Sequence, residues 1–338
     1  MEIGIVGASG AVGQEIIRLL EERNLPVKRI CFFGSKRSQG ITLSFRGEKI
    51  PIQTLSPRAF QGLDVVFFSA GSDVSKTYVN IARQEGALVI DNSSAFRQDP
   101  HTPLVIPEVN PEALEHHDGL ICNPNCVVIL LLTVLFPLHQ VGTLKRIVFS
   151  TYQAASGAGW QAMQELQQET LAFLENRPYE RKVIPYPYAF NLFLHNSPMA
   201  SDQYVEEEVK IIAETRKILS EPTLGIAVTC VRVPVLRAHA ESVNAEFHES
   251  ISAQNAQEIL LQAPGVTFLE NSFAMPRDVA GQENVFCSRV REDLSQPNTL
   301  DLWIVGDQLL KGAALNAVQI LETIKKTKKD PEPILSTL

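Results

Sequence analysis

Cysteine is scarce in this chain, and the distribution of the few cysteines excludes several kinds of protein. Five occur among 338 residues, an odd number scattered along the whole length: Cys31, Cys122, Cys126, Cys230 and Cys287. Such a set does not form a disulfide framework. The chain also lacks the two closely spaced ligand pairs that are typical of a structural zinc site. The sequence therefore predicts a protein of a reducing compartment that holds no metal.

Basic charge and long apolar runs are lacking as well. The formal net charge is −8, which argues against general affinity for nucleic acid but leaves small anions to local basic residues. The apolar run 127–136 is too short to span a bilayer. The first residues lack the basic start and apolar core of a signal peptide. We therefore expect a cytoplasmic protein with neither a nucleic acid nor a membrane as its partner.

The order of strand and helix patterns divides the chain into two domains, as its length suggests. Short apolar strands alternate with helices through about residue 125, which indicates a doubly wound parallel sheet. Later strands are longer with alternating polar positions, which favours an α+β domain with an antiparallel, half-exposed sheet. A final helix over 309–325 should return to the first domain. The predicted domains are residues 1–125 plus 314–338, and residues 126–313.

A glycine-rich turn follows the first predicted strand, Ile3–Val6. Gly7, Gly10 and Gly13 precede a helical pattern, and such a unit can cradle a dinucleotide pyrophosphate at the helix N-terminus. The spacing is G-x-x-G-x-x-G rather than G-x-G-x-x-G, so an ordinary strand–helix turn is the alternative.

The loop after the second predicted strand indicates which dinucleotide binds. Ser35, Lys36, Arg37 and Ser38 stand where an NAD site usually offers an acidic residue to the ribose. Basic and hydroxyl groups suit a 2′-phosphate, which predicts NADP. A solvated basic loop is the alternative.

The sequence Cys122-Asn-Pro-Asn-Cys126 lies directly before an apolar helical run. Asn-Pro-Asn favours a turn, so Cys126 is predicted at the helix N-terminus, where the helix dipole lowers a thiol pKa. This suits a nucleophile for covalent catalysis. The alternative is a small buried hydrophobic residue.

Other polar residues are candidates for acid/base chemistry and anion binding. His239 follows a predicted strand that carries Arg232, and Arg97 stands just beyond the end of another strand. Histidine is the natural proton carrier, and arginine binds carboxylates through a planar fork. Glu207 and Lys210 share a helix face, where an ordinary surface ion pair is the alternative. The Gln/Glu-rich face of the predicted helix 160–174 is expected to be solvated.

Ordered blocks along essentially the whole chain resemble aspartate-β-semialdehyde dehydrogenase. They are GIVGASGAVG at 4–13, FFSAGS at 67–72, DNSSAFR at 91–97, VIPEVN at 105–110, NPNC at 123–126, STYQAASGAG at 150–159, EEEVK at 206–210, CVRVPVLRAHAESV at 230–243 and LDLWIVGDQLLKGAALNAVQI at 300–320. The resemblance implies a Rossmann-type domain, a second α+β domain for catalysis and dimerisation, and a homodimer. It also implies NADPH-dependent reduction of 4-phospho-L-aspartate to L-aspartate 4-semialdehyde and phosphate, through a thioacyl-enzyme.

The resemblance also assigns roles to residues. Cys126 would be the nucleophile, His239 the acid/base residue, and Gln153 the residue that orients the substrate. The residues implied in substrate and phosphate binding are Arg232 for the α-carboxylate, Glu207 for the amino group, and Arg97 with Lys210 for phosphate. The residues implied in cofactor binding are Gly7, Ser9, Gly10, Ala11, Val12, Gly13, Ser35, Arg37, Ser38, Ser156, Gly157 and Asn316.

Two alternatives remain open at this level. N-acetyl-γ-glutamyl-phosphate reductase shares the architecture but typically reads Asn-Pro-Gly-Cys at its nucleophile and needs no pocket for a free amino group, so Glu207 argues against it. A catalytically silent NADP-binding paralogue would not be expected to keep Cys126, Gln153, Arg232 and His239 together. One departure from the family is the Val127-Val128 pair, where Ser-Thr is common.

Overall fold

The computed structural model describes residues 1–200 and 202–329, and within these ranges the chain forms two seven-stranded sheets. The strands are β1 (Glu2–Val6), β2 (Arg29–Gly34), β3 (Thr42–Phe45), β4 (Glu48–Thr54), β5 (Val65–Phe68), β6 (Leu88–Asp91), β7 (Leu120–Cys122), β8 (Leu144–Gln153), β9 (Phe193–Leu194), β10 (Gly225–Arg232), β11 (His239–Phe247), β12 (Val266–Leu269), β13 (Val285–Glu292) and β14 (Thr299–Gly306). The α-helices are α1 (Ala11–Glu22), α2 (Ser72–Gln84), α3 (Cys126–Gly142), α4 (Trp160–Leu174), α5 (Glu206–Leu219), α6 (Ala253–Gln262), α7 (Pro276–Val279) and α8 (Leu315–Lys329). A π-helix, Leu310–Ala314, precedes α8, and short 3₁₀ turns occur at Lys36–Ser38, Pro57–Phe60, Pro111–His116 and Ala155–Ala158.

The first sheet confirms the predicted doubly wound fold. Its strand order is β3-β4-β2-β1-β5-β6-β7, and every pairing is parallel except the β3–β4 hairpin. Helices α1 and α8 cover one face, and α2 covers the other. The strands are short and apolar because both of their faces are buried.

The second sheet is mixed, which corrects the antiparallel sheet expected from the sequence. Its order is β12-β13-β14-β11-β8-β10-β9, and β8 pairs with β10 in parallel, as β12 does with β13. Parallel neighbours require a crossover, and α4 and α5 lie on the chain between β8 and β10. The remaining pairs are antiparallel.

Helix α3 lies against one face of the second sheet and is apolar around nearly its whole circumference. Val127 and Val128, which depart from the family pattern, are completely buried there. This burial explains their apolar character, since a buried hydroxyl would need a partner.

The polar face of α4 is solvated only in part: its glutamines are exposed, as expected, but two of its glutamates are buried. The buried carboxylate of Glu165 accepts N–H bonds from Lys182, Val183 and Ile184, and the buried carboxylate of Glu169 accepts one from Tyr188. These bonds satisfy the backbone of a long connection that has little regular structure of its own.

The last helix returns to the first sheet, as predicted. Buried α8 side chains such as Leu315 and Val318 pack in one cluster with α1 side chains such as Ile16 and Leu20. The sequence did not predict the π-helix that precedes α8. The predicted domain boundaries at 125 and 314 stay a prediction, and residues 330–338 of the predicted segment 314–338 lie outside the described residues. No helix in the described part of the chain is long and apolar enough to cross a membrane.

Candidate active site

Cys126 is the first residue of α3, as the Asn-Pro-Asn turn predicted. Asn125 caps the helix: its side-chain oxygen accepts the Val127 N–H at 2.9 Å, and its side-chain amide donates to Glu207 Oε1 at 2.7 Å. The cap therefore fixes the helix start and joins it to α5.

The charge around the Cys126 thiol differs from the expectation. Burial, followed by the negative charge of Glu207, raises the pKa of Cys126 to about 12, and the guanidinium groups of Arg97 and Arg232 only partly offset these effects. Cys126 therefore stands at the helix start, as predicted, but the predicted lowering of its thiol pKa is wrong. Ionisation of Cys126 therefore depends on added positive charge or on removal of negative charge.

Gln153, Arg232 and His239 meet at one edge of the second sheet because of its mixed topology. Strands β8 and β10 are parallel and end together at Gln153 and Arg232, while the antiparallel β11 begins at that edge with His239. All three side chains are buried. Three buried nitrogens there, Gln153 Nε2, Arg232 Nε and His239 Nε2, have no hydrogen-bond partner among the described residues.

The protonation state of His239 follows from its hydrogen bond. Its Nδ1 accepts the Ala154 N–H at 3.0 Å, so the proton of the neutral ring sits on Nε2. Burial, followed by the charge of Arg232, holds its pKa well below the ordinary value. His239 is thus a neutral imidazole that can donate from Nε2.

Arg232 is held by two partners, one of which the sequence did not reveal. Its guanidinium donates to the Ala154 carbonyl at 3.1 Å and to His195 Nε2 at 2.9 Å. Burial, followed by the charge of Arg232, lowers the pKa of His195 to about 4, so His195 is neutral and accepts this bond. His195 was missed because it stands in the Pro- and aromatic-rich stretch 177–200, where no periodic pattern marks it.

The residues predicted to bind phosphate differ in their surroundings. Arg97 is buried and donates to Glu214 Oε1 at 3.0 Å and to the Asn92 carbonyl at 2.7 Å. Lys210 is partly exposed, and its ion pair is with Glu206 at 3.2 Å, not with Glu207. The surface-pair alternative for Glu207 and Lys210 is therefore wrong.

Glu214 is a second residue that the sequence analysis did not single out. Its Oε2 accepts the Asn125 N–H at 2.6 Å, while its Oε1 pairs with Arg97. It thus connects the buried arginine to the cap of the nucleophile helix. Its position on the inner face of α5, four residues after Lys210, was the available signal.

A cleft of about 340 Å³ lies between the first sheet and these residues. It is lined by Val12, Gly71, Ser72, Asn92, Ser93, Ser94, Arg97, Asn123, Pro124, Asn125, Cys126, Ser156, Gly157, Glu207, Lys210, Gln308, Leu309, Gly312 and Ala313. Gly157 lies against the buried residues behind the cleft, since a Cβ there would come within 3.1 Å of Arg232 Nη1 and of His239 Nε2.

The glycine turn has the close-packed backbone that a dinucleotide cradle requires. Gly7 has a φ of 86°, and a Cβ there would lie 2.7 Å from the Ser69 carbonyl oxygen. A Cβ at Gly13 would overlap the Gly7 carbonyl, while Gly10 precedes the first residues of α1, Ala11 and Val12. These residues fit a bound pyrophosphate at the N-terminus of α1.

The Ser35–Ser38 segment adjoins this turn. Ser9 Oγ lies 3.1 Å from Ser38 Oγ, and Ser35 and Arg37 are exposed beside them. A basic, hydroxyl-bearing segment therefore stands next to the cradle, as a 2′-phosphate site would need.

Asn316 is not brought to the cleft. It is completely buried, and its side chain bonds Val105 O at 2.9 Å, Asn123 Oδ1 at 2.7 Å and Lys311 Nζ at 3.0 Å. It supports Asn123, which does line the cleft, and its predicted part in cofactor binding stays a prediction. The described residues contain no group of three or more His, Cys, Asp or Glu side chains that could hold a metal ion.

Comparisons with known proteins agree with this arrangement. The model of a semialdehyde dehydrogenase NAD-binding domain matches residues 2–117, and that of a semialdehyde dehydrogenase dimerisation domain matches residues 135–311. The aspartate-semialdehyde dehydrogenase of Synechocystis is 49% identical over 96% of this chain and 97% of its own length. The chain belongs to the aspartate-semialdehyde dehydrogenase family.

Other members of the family extend the comparison. The Bacillus subtilis protein is 41% identical over 96% of this chain and 98% of its own length. The crystal structure of aspartate semialdehyde dehydrogenase II of Vibrio cholerae, described as complexed with ASA, has a TM-score of 0.94 and 37% identity, and covers 96% of this chain and 98% of that one. The family assignment made from the sequence is confirmed, and the nicotinamide-binding domain is that of an oxidoreductase.

Proposed function

We propose that this chain catalyses the reversible, NADPH-dependent reduction of 4-phospho-L-aspartate to L-aspartate 4-semialdehyde and phosphate, in the biosynthesis of aspartate-family amino acids. The observation that carries the proposal is a cleft lined by Cys126 at a helix start and by Gly157, directly behind which lies the neutral, proton-donating His239. Neither N-acetyl-γ-glutamyl-phosphate reduction nor catalytically silent NADP binding would need Cys126, His239 and Glu207 together.

The first chemical step belongs to Cys126. Its thiolate attacks the acyl carbon of the substrate, the carbon–oxygen bond to phosphate breaks, and a thioester forms. The guanidinium groups of Arg97 and Arg232 favour the thiolate. Nearby N–H groups at the start of α3 add to this stabilisation.

The second step needs a hydride, which a nicotinamide cofactor supplies when it is bound. The His239 Nε2–H faces the site without a competing partner among the described residues. It can give its proton to the carbonyl oxygen of the thioester as negative charge develops there. The Ala154 N–H holds the ring in the required tautomer.

Four charged residues suit the remaining groups of the substrate. Arg232 offers a planar fork, held in place by His195, for the α-carboxylate. Glu207, fixed by Asn125, suits the amino group. Lys210 lines the cleft together with Arg97, and both suit the phosphate. Gln153, buried beside them, would orient the acyl centre.

The finer assignments belong to the proposal as well. We assign NADP rather than NAD because Ser35, Arg37 and Ser38 adjoin the cradle. The matched dimerisation domain and the name of its family model support a homodimer. We retain 1–125 plus 314–338 and 126–313 as the two domains, and a cytoplasmic location.

The decisive experiment is turnover with both candidate substrate pairs. Phosphate-dependent reduction of NADP should occur with L-aspartate 4-semialdehyde and not with N-acetyl-glutamate semialdehyde. Preference for the acetylated substrate would establish the rival reductase, and turnover with neither would favour the silent paralogue.

A cysteine variant tests the covalent step. Cys126→Ala should abolish turnover and leave NADPH binding intact, whereas Cys122→Ala, a buried cysteine on neighbouring β7, should retain activity. Residual activity of Cys126→Ala above roughly a thousandth of wild type would exclude covalent catalysis through this residue.

A further inference from the structure

Three layers of side chains cross strands β10, β8 and β11 on the face that α3 covers. The edge layer is Arg232, Gln153 and His239, the next is Cys230, Thr151 and Glu241, and the third is Val228, Phe149 and Val243. Side chains two residues apart on a strand share a face, so the middle layer lies directly beneath the catalytic one. The middle layer therefore separates the polar edge layer from the apolar third layer.

Glu241 is the unusual member of the middle layer. It is completely buried, and neither carboxyl oxygen has a hydrogen-bond partner among residues 1–200 and 202–329. Thr151 stands directly opposite on β8, and its buried hydroxyl likewise has no partner in that range. Close packing alone would favour an apolar side chain at position 241, like the side chains of the third layer.

The surroundings of Glu241 do not neutralise a negative charge. Burial raises its pKa well above the ordinary value, with no cation offsetting the effect. Thr151 on β8 and the apolar Ile304 on β14 stand directly opposite it, His239 lies two residues away on its own strand, and Cys126 on α3 is close enough to feel its charge. A negative charge at Glu241 is one of the causes that raise the pKa of Cys126.

We propose that Glu241 is a positioning residue for this reaction, an uncharged carboxylic acid that donates a hydrogen bond beneath the catalytic layer and so allows Cys126 to ionise. Thr151 is the nearest acceptor across the strands, because directly opposed side chains on antiparallel strands have Cβ atoms about 5 Å apart. The bond requires a side-chain rotation, since the two groups are not hydrogen-bonded in the structure. A neutral acid places no negative charge beneath the thiolate, whereas a carboxylate would oppose the thiolate. The inference rests on the proposed role of Cys126.

Two substitutions separate the hydrogen-bond donor from the charge. Glu241→Gln keeps a neutral donor of similar shape, and Glu241→Leu fills the space without polar atoms. Glu208→Gln is the matched control, because Glu208 is also buried in this region but accepts the N–H groups of Val205 and Cys230. The readouts are the rate of Cys126 alkylation by iodoacetamide as a function of pH, with peptide mapping, and infrared spectra of the carboxyl groups.

We expect a protonated-carboxyl band at neutral pH that is absent from Glu241→Gln. Alkylation of Glu241→Gln at neutral pH should stay within about twofold of wild type and should exceed it at alkaline pH, where Glu241 itself ionises. Glu241→Leu should be slowed roughly fivefold, the effect of losing one hydrogen bond. Glu208→Gln should leave the pH profile of alkylation unchanged.

Four results would overturn the proposal. They are a carboxylate band for Glu241 at neutral pH, an increase of about tenfold or more in alkylation of Glu241→Gln at that pH, wild-type alkylation of Glu241→Leu, and a changed profile in Glu208→Gln. The infrared measurement needs no turnover and uses only the wild-type protein and Glu241→Gln, and alkylation needs no substrate. A failure of the proposed reaction would instead appear in the semialdehyde assay and in Cys126→Ala.

Discussion

Glu214 provides the sharpest test of how the site is held together. Its carboxylate is completely buried and pairs with Arg97 at 3.0 Å and with the Asn125 N–H at 2.6 Å. Glu214→Ala removes both bonds and leaves the Arg97 guanidinium buried without its counter-charge. Breaking a buried pair in this way typically lowers the free energy of unfolding by about 3–5 kcal/mol.

The expected loss can be measured by thermal unfolding. Each kcal/mol shifts the Tm of a domain of ~150–250 residues by about 2–4 °C, so Glu214→Ala should lower Tm by roughly 6–20 °C. Glu206→Ala is the matched control on the same helix, because its ion pair with Lys210 is partly exposed. A pair of that kind contributes about 0–1 kcal/mol.

The same substitution should affect catalysis in a defined way. Loss of the Asn125 contact loosens the cap of α3, and loss of the Arg97 contact frees a residue proposed to bind phosphate. We therefore expect a raised KM for phosphate, because Arg97 loses the contact that holds it in place. A Tm for Glu214→Ala within about 2 °C of the Glu206→Ala value would refute the reasoning, because it would mean that the buried pair is not needed.

Three further predictions concern the edge layer and the cofactor. Gly157→Ala should lower kcat by about tenfold or more, because its Cβ would crowd the Arg232 guanidinium and the catalytic imidazole at 3.1 Å. Gly225→Ala, whose Cβ would meet β8 at an ordinary 3.5 Å, should not lower it. The depressed pKa of His195 means that stability falls as pH drops from 6.5 towards about 4, so His195→Gln should show a shallower decline of Tm in that window. Arg37→Ala should weaken NADP binding much more than NAD binding, and equal losses measured by titration would show that this loop does not recognise the 2′-phosphate.

The sequence predicted the parts of the fold that local pattern controls. Alternating short apolar strands and helices gave the first sheet, and the Asn-Pro-Asn turn located the start of α3 at Cys126. The glycine turn and the return of the last helix were also predicted. In each case a run of apolar residues or a turn residue specifies the element without reference to distant parts of the chain.

The remaining features depend on contacts that no local pattern records. In the sequence, Glu165 and Glu169 belong to a helix face that would be expected to be solvated. In the structure, their carboxylates accept hydrogen bonds from backbone N–H groups that lie 17 to 19 positions further along the chain. The thiol pKa of Cys126 was misjudged because the helix start was visible in the sequence, whereas its burial and its neighbour Glu207 were not. His195 was missed because only the pairing of β9 with β10 brings it to Arg232.

The chemistry of the site follows from the mixed topology of the second sheet. A parallel pair puts the ends of β8 and β10 at one edge, and an antiparallel neighbour adds the beginning of β11 there. Gln153, Arg232 and His239 therefore converge from three separate stretches of the chain, each with a nitrogen that no described residue satisfies. Buried donors without partners are destabilising, and a fold retains them where a ligand supplies the acceptors. In a wholly antiparallel sheet, as the sequence suggested, β8 and β10 would not both end at this edge, and a charged fork and a proton donor would not face the nucleophile together.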